Sequence, residues 1–598
     1  MLNYGIIGNC KTCALINNDA SIDWFCFPSF DSPSIFAKLL DEKIGGTFQI
    51  KVSDEYKTTQ YYDDYSAVLV TKFQSQKSSF KVIDFFPRYR KILPNKKTKL
   101  FRQNVLFRII EPIRGKPNLK LIYDPKPNYA ITNPKFKIKN NLLTTKEINL
   151  SSNLDYKILL NQSEFELNKT LFFAIGATEN DNFNLTYAKK LLSATKKYWS
   201  QWVGTLNIPI NNSDQIIRSA ITLKLLTYSE TGAIVAAPTT SIPEEIGSER
   251  TWDYRFCWVR DAVFTVNAFK KIGRDYEAKK LLEFMLNQSI KKNKPLQLMY
   301  GINGETKLTE KKLNHLKGFK NSKPVRIGNA AYNQKQNDIY GSLIDMMYMY
   351  FVFYEYEKKL PKKYWDFLKY LVNEIEKNWK TKDHGIWEFR MQKQHFTYSK
   401  LMCYVGMDFA MKIAQHFNKL TYAENWAILR DKIKDNILKN AWNDKKRSFT
   451  MYYGSDELDA SVLKISYHNF LEHDDPRLIN TILNINKQLR VDSLVHRYKI
   501  EDDFGKSKST FTICSFWLID ALYRIGEEKE SRKMYEKLKD YSNHLGLYAE
   551  DLTIKKKQNI GNFPQAYTHL ALIYSSLLLS EWQTQRKKHI IFNKKKVK

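Results

Sequence analysis

The chain has 598 residues, 43% of them hydrophobic and 14% aromatic. That is enough apolar material for a large core or several domains, and it excludes a largely disordered chain. The formal charge of +32 comes from 95 Lys and Arg against 63 Asp and Glu, spread along the whole sequence. Without a helix-turn-helix, zinc-finger or aromatic RNA-binding signature, it reads as a solvated basic surface and predicts no nucleic-acid partner.

The first residues, Met1 to Gly8, lack the charged and apolar regions of a secretory leader. No apolar run reaches the length of a membrane span, so a cytoplasmic protein with no membrane partner is expected. Six cysteines, at 10, 13, 26, 257, 403 and 514, are too sparse for a disulfide scaffold. Cys10-Lys11-Thr12-Cys13 has a ligand-like spacing, but no second ligand pair follows and no thioredoxin-like context surrounds it. Small buried side chains are expected there, and no metal or cofactor.

Residues 1–200 read as β. Runs such as Ser66 to Phe73 and Phe80 to Phe86 are rich in β-branched and aromatic residues and are punctuated by Asn, Pro, Lys and Gly. Many short strands at close spacing predict a β-sandwich. Thr186 to Trp202 reads as a helix leading out of it.

From about 213 the apolar period becomes helical. Helices are predicted at about 215–230, 259–272, 275–289, 338–358, 362–379, 399–416, 421–440, 458–465, 475–490, 510–526, 528–543 and 565–584. The links alternate. They are mostly short after even-numbered helices and long after odd-numbered ones, at about 231–258, 290–337, 380–398, 441–457, 491–509 and 544–564. Short links make antiparallel neighbours, so twelve helices close as six hairpins with every long loop at one end. The predicted fold is an N-terminal β-sandwich over 1–200, an all-α (α/α)6 barrel over 201–585 and a basic tail over 586–598. Glu472-His473-Asp474-Asp475-Pro476 resembles the acidic pairs of terpene cyclases, but it falls at the opposite end, where Asp before Pro is ordinary N-capping.

The unusual polar and aromatic clusters fall on the long loops. The first carries Glu244 to Asp261, with Trp252, Trp258, Arg260 and Asp261, and the second carries Tyr300. The third is Lys382 to Arg390, where Glu388 follows Trp387 in a Gly-broken loop between His384 and Arg390, a setting that can tune its proton affinity. The fifth holds Arg497 and the sixth Glu550 and Asp551. Indole faces stack on sugar C–H surfaces, and Arg and Asp bind hydroxyls. Two carboxylates facing one another across a bond suit glycoside hydrolysis.

Tyr4 to Cys10, Ser21 to Pro28, Thr231 to Thr240, Trp252 to Asp261, Gly385 to Glu388 with His395 to Lys400, and Gly561 to Ala566 together resemble glycoside hydrolase family 15, the glucoamylases and microbial α,α-trehalases, with a trehalase-like N-terminal domain. The resemblance implies an (α/α)6 barrel and an inverting mechanism. Glu388 then matches the general acid and Glu550 the general base. Asp551 is its neighbouring alternative, because Tyr548-Ala549-Glu550-Asp551 departs from the commoner paired glutamates. Arg260, Asp261 and Arg497 match residues that grip the terminal glucose. Trp252, Trp258 and Trp387 wall the pocket, and Tyr300 is grouped with them. An exo-acting α-glucosidase of glucoamylase type, releasing β-glucose from oligosaccharides, is the first expectation. α,α-Trehalase is the second, and a non-catalytic glycan- or nucleic-acid-binding protein is a remote third.

Overall fold

The computed structural model describes residues 2–53, 55–94, 97–290, 296–390 and 392–580. The N-terminal part is two antiparallel sheets face to face. The first runs in the order Tyr4–Gly8, Cys13–Asn17, Ile22–Cys26, Thr47–Val52, Asn118–Asp124, Glu164–Glu166, with Ser34–Phe36 paired to Ile22–Cys26. The second runs Lys137–Lys139, Leu142–Thr144, Asn149–Ser152, Leu171–Ile175, Leu106–Arg114, Ser79–Phe85, Leu69–Gln74, Lys57–Tyr62. Leu69, Phe73, Phe80, Val82, Leu106 and Ile110 join the main core, while Val70, Ile83, Phe85, Phe107 and Ile109 pack with Ala188 and Leu191 of the helix Leu185–Val203. The second sheet is thus covered on both faces, which is why its strands read as apolar runs rather than alternating. Between the sheets Arg108 is fully buried. Its Nε and Nη2 donate to both Asp84 oxygens at 2.7 and 3.1 Å, and its other hydrogens go to the Ala20 and Phe48 carbonyls. A buried charge is tolerable only when satisfied in this way.

The helical part is a closed double ring. Val259–Lys271, Asp338–Tyr348, Thr397–His416, the 3-10 segment Ala460–Tyr467, Thr512–Arg524 and Ala566–Leu579 form the inner ring, each against the next and the last against the first. Asp275–Ser289, Lys362–Asn378, Leu420–Asn440, Pro476–Gln488, Glu528–Lys539 and Ser213–Leu226 back them from outside. Of the outer helices, Lys362–Asn378 and Pro476–Gln488 are strongly amphipathic, whereas the inner Thr512–Arg524 and Ala566–Leu579 are apolar nearly all round, as a ring covered on both sides requires.

The long links lead into the helices of the inner ring. The eighth predicted helix is a 3-10 segment, and the fourth ends in a π-turn at Met349–Phe353. Asp475 caps the helix Pro476–Gln488, accepting from the Arg477 N–H at 2.8 Å. All six cysteines are buried and unpaired. Among the described residues no helix is long and apolar enough to cross a membrane. The predicted basic tail lies outside the described residues.

The sandwich docks on the loop end of the barrel. Trp24 Nε1 donates to the Pro238 carbonyl at 2.8 Å, and Arg255 Nη1 donates to the Tyr129 hydroxyl at 2.8 Å. Asn543 Nδ2 donates to the carbonyls of Leu2 and Tyr4.

Candidate active site

Five of the six long loops line one cavity, open to solvent, where the inner helices begin. Trp258 precedes the helix Val259–Lys271, so Arg260 and Asp261 occupy its first turn at the positive end of its dipole. Arg260 donates to Asp338 at 2.8 Å, Gln336 at 3.1 Å and the Ile386 carbonyl at 3.2 Å. Asp261 lines the cavity, and burial pushes its carboxyl up to about 7 despite Arg260 beside it.

Glu388 lines the cavity beside Arg260. Its backbone is left-handed, φ 62°, in a turn that Gly385 also enters with positive φ. A Cβ at Gly385 would lie 2.7 Å from the Phe396 ring, so only glycine fits there. Trp258 Nε1 donates to Glu388 Oε1 at 3.0 Å, and Arg260 stands 3.7 Å from the same oxygen. Burial is the largest influence and raises the Glu388 carboxyl, while Arg260, the Trp258 N–H and Arg390 pull it down. The net direction is upward, towards the protonated form that an acid needs.

Glu550 is 1% exposed and stands directly behind the wall. The Tyr254 hydroxyl, on the wall, donates to Glu550 Oε1 at 2.5 Å, and the Asn562 N–H approaches Oε2 at 3.4 Å. Gly561 approaches so closely that a Cβ there would lie 2.8 Å from that of Glu550. The Tyr254 and Trp258 ring centroids are 5.4 Å apart, so Glu550 and Glu388 hang from the polar ends of two adjacent aromatic rings.

A second carboxylate, Glu244, faces the cavity itself. Trp252 Nε1 donates to it at 3.0 Å and Arg497 Nη2 makes a very short pair with it. The same guanidinium lies 3.4 Å from Asp551, which also accepts from Ser509. Asp551 is wholly buried and does not reach the cavity. Burial, then Glu244, then Asp551 push Glu550 well above the ordinary carboxylate range, while Arg497 and the Tyr254 hydroxyl oppose them.

Of the residues expected at the site, Glu388, Arg260, Asp261, Trp252, Trp258, Trp387 and Arg497 line the cavity together, with Glu550 behind it. Tyr300 does not. Its strand pairs with Cys257–Trp258, which turns the side chain into the core at 1% exposure, its hydroxyl 3.4 Å from the Gln297 N–H. Residues not singled out beforehand complete the walls. Tyr254 and Glu244 lie on the first long loop, but the groups they meet across the site, Glu550 and Arg497, are 296 and 253 residues away. Arg390 stacks over Trp252 at 4.4 Å and lies 5.5 Å from the Phe504 ring centroid, its N–H donates to Asp503, and its guanidinium reaches Glu310 at 3.1 Å. Phe504 tips the hairpin Glu501–Asp502/Gly505–Lys506 and meets Trp252 edge-on at 5.1 Å.

The family model described as glycosyl hydrolases family 15 matches residues 211–577, and a model described as trehalase-like, N-terminal, matches residues 3–153. The chain is 36% identical to a trehalase of Mycolicibacterium smegmatis, covering 96% of this chain and 90% of that one. It is 32% identical to a trehalase of Thermoplasma volcanium, covering 97% and 93%. The structure of a bacterial glucoamylase complexed with acarbose superposes with a TM-score of 0.69 at 15% identity, covering 96% and 93%, and shows the fold. The chain belongs to glycosyl hydrolase family 15 and is a glycoside hydrolase.

Proposed function

We propose that this enzyme is an α,α-trehalase, cleaving the disaccharide to two glucose molecules with inversion at the attacked carbon. The observation that carries the substrate is the similarity to trehalases over almost the entire chain. Arg390, Asp503 and Phe504 gather around Trp252 on the cavity wall. Of the two expectations, the trehalase reading is the better supported, because the relatives matched over nearly the full chain are trehalases.

In this reading Arg260, Asp261 and Arg497 hold the hydroxyls of the glucose that is attacked, and Trp258 and Trp387 pack on its faces. Trp252 joins Arg390 and Phe504 around the departing glucose. Protonated Glu388 gives its proton to the glycosidic oxygen as the C–O bond breaks. Glu550, its ionised form held by the Tyr254 O–H, removes a proton from the water that attacks the opposite face.

A panel of trehalose, maltose, isomaltose and maltotriose, assayed for glucose, tests the substrate. Trehalose is expected to be turned over fastest, and a clear preference for maltotriose would overturn the reading.

A further inference from the structure

The catalytic cavity is one of two on the barrel axis. The second, about 950 Å3 with its mouth, is lined by side chains from all six inner helical segments. Tyr567 borders both. Because the inner helices begin at the catalytic end, the other lining residues lie further along each helix, towards the short links. Asn267 and Lys271 follow Arg260 on one helix, and Tyr574 follows Tyr567 on another.

This second cavity is unusual in its polar groups. Lys464 is 1% exposed and, among the described residues, forms no ion pair within 4.0 Å. Its ammonium lies instead over Tyr467 at 3.4 Å from the ring centroid and near Phe264 at 4.3 Å. Arg524 is also without an ion pair among the described residues. It reaches the same Tyr467 ring at 4.8 Å, and its Nε has no hydrogen-bond partner. His468 Nε2 and the Tyr567 hydroxyl are likewise buried and unpartnered. Asp520 is satisfied by the Tyr467 hydroxyl at 2.7 Å and Ser575 at 2.5 Å. Asp345 faces the same space.

Three cations, Lys271, Lys464 and Arg524, thus face two carboxylates, Asp345 and Asp520. Burial pushes Lys464 down to about 7 and Asp345 up to about 7, as expected of charges that lack close partners. Buried donors without acceptors cost free energy, and of these groups only Tyr567 also borders the catalytic cavity. One negative charge supplied from outside would balance the set. Tyr348, Phe409 and Trp517 offer ring faces to the rest of such a molecule, and His468, Tyr567 and Asp345 offer partners for hydroxyls.

We propose that this axial cavity is a second binding site, for a small hydroxylated monocarboxylate whose carboxylate is taken by Lys464 and Arg524 and whose body packs on the aromatic wall. Calorimetric titration of the full-length protein with sodium gluconate near pH 7 tests it. Binding is expected, weakened about tenfold or more by Lys464→Met and by Arg524→Gln, each removing one charge-assisted contact. Arg524→Gln lies nearer the surface and guards against misfolding of the first variant. Asp261→Asn, in the catalytic cavity, should leave gluconate binding intact. The proposal is overturned if the native protein does not bind gluconate, if both charge variants bind it unchanged, or if Asp261→Asn abolishes binding. Tighter binding of inorganic phosphate than of gluconate, lost in Lys464→Met, would overturn the assignment to a monocarboxylate.

Discussion

Glu388 is held in a backbone conformation that costs a non-glycine residue about 1–2 kcal/mol, and the cost is met because Trp258, Arg260 and the Gln334 side chain all fix its position. Replacing it with Gln keeps the shape and removes the proton. Glu388→Gln should lower kcat by about 10²–10⁴-fold with an unchanged melting temperature. Glu550→Gln should cost a similar factor. Glu244→Gln, which disturbs Arg497 without removing the base, should cost less, and the reverse order would move the base to Glu244. Glu388 and Glu550 are both pushed upward, so with Glu550 as the proposed base the acid limb of the rate profile, where it takes up a proton, should lie above the usual glutamate value of about 4.3. Tyr254→Phe removes a donor that favours ionised Glu550, so the acid limb should move to still higher pH in that variant. An unmoved limb would detach Tyr254 from the base. The adjacency of Glu388 to Trp387 was legible in the sequence. The Tyr254–Glu550 bond was not, because it joins residues 296 positions apart.

Link lengths, more than helical period, made the ring legible, since only a short link forces antiparallel neighbours. The segment Ala460–Tyr467 is buried from Ala460 to Ser466, so it has no polar face to mark a period, and it settles as a 3-10 helix. The hairpin around Phe504 was not legible in the sequence, since it packs on Trp252 and Arg390 of other loops. Phe504→Ala should open that wall and raise the rate on maltotriose relative to trehalose by about tenfold. An unchanged ratio would show that the hairpin does not set chain length. Between elements, buried Glu277 accepts from Lys224 at 2.8 Å, Arg274 at 3.2 Å and Trp202 Nε1 at 3.1 Å, joining the connecting helix to two outer helices. Although burial opposes ionisation, its cationic partners hold its carboxyl down to about 2. A lowered folded-state value contributes stability above the unfolded value of about 4.3 that is lost as pH falls towards about 2. Glu277→Gln should therefore destabilise by about 3 kcal/mol at pH 7, and by much less near pH 2, in denaturant melts. Equal loss at both pH values would contradict the ionic account.

At the scale of the molecule, the sandwich is more than an appendage. Tyr129 and the Ser32 carbonyl hold Arg255, which grips both oxygens of Asp253 at 2.9 and 2.7 Å, in the segment that carries Trp252 and Tyr254. The loop that supports the base is therefore fixed partly from the N-terminal sheets. The division into sandwich and barrel was readable from the change of period near residue 213. The docking was not, because it depends on single side chains such as Trp24 and Arg255. The central claim is that Glu388 and Glu550 invert one anomeric centre of trehalose. The direct measurement is proton NMR of the first products released from trehalose. The account predicts α- and β-glucose in equal amounts before mutarotation, one from each half of the substrate. Release of α-glucose alone would contradict it.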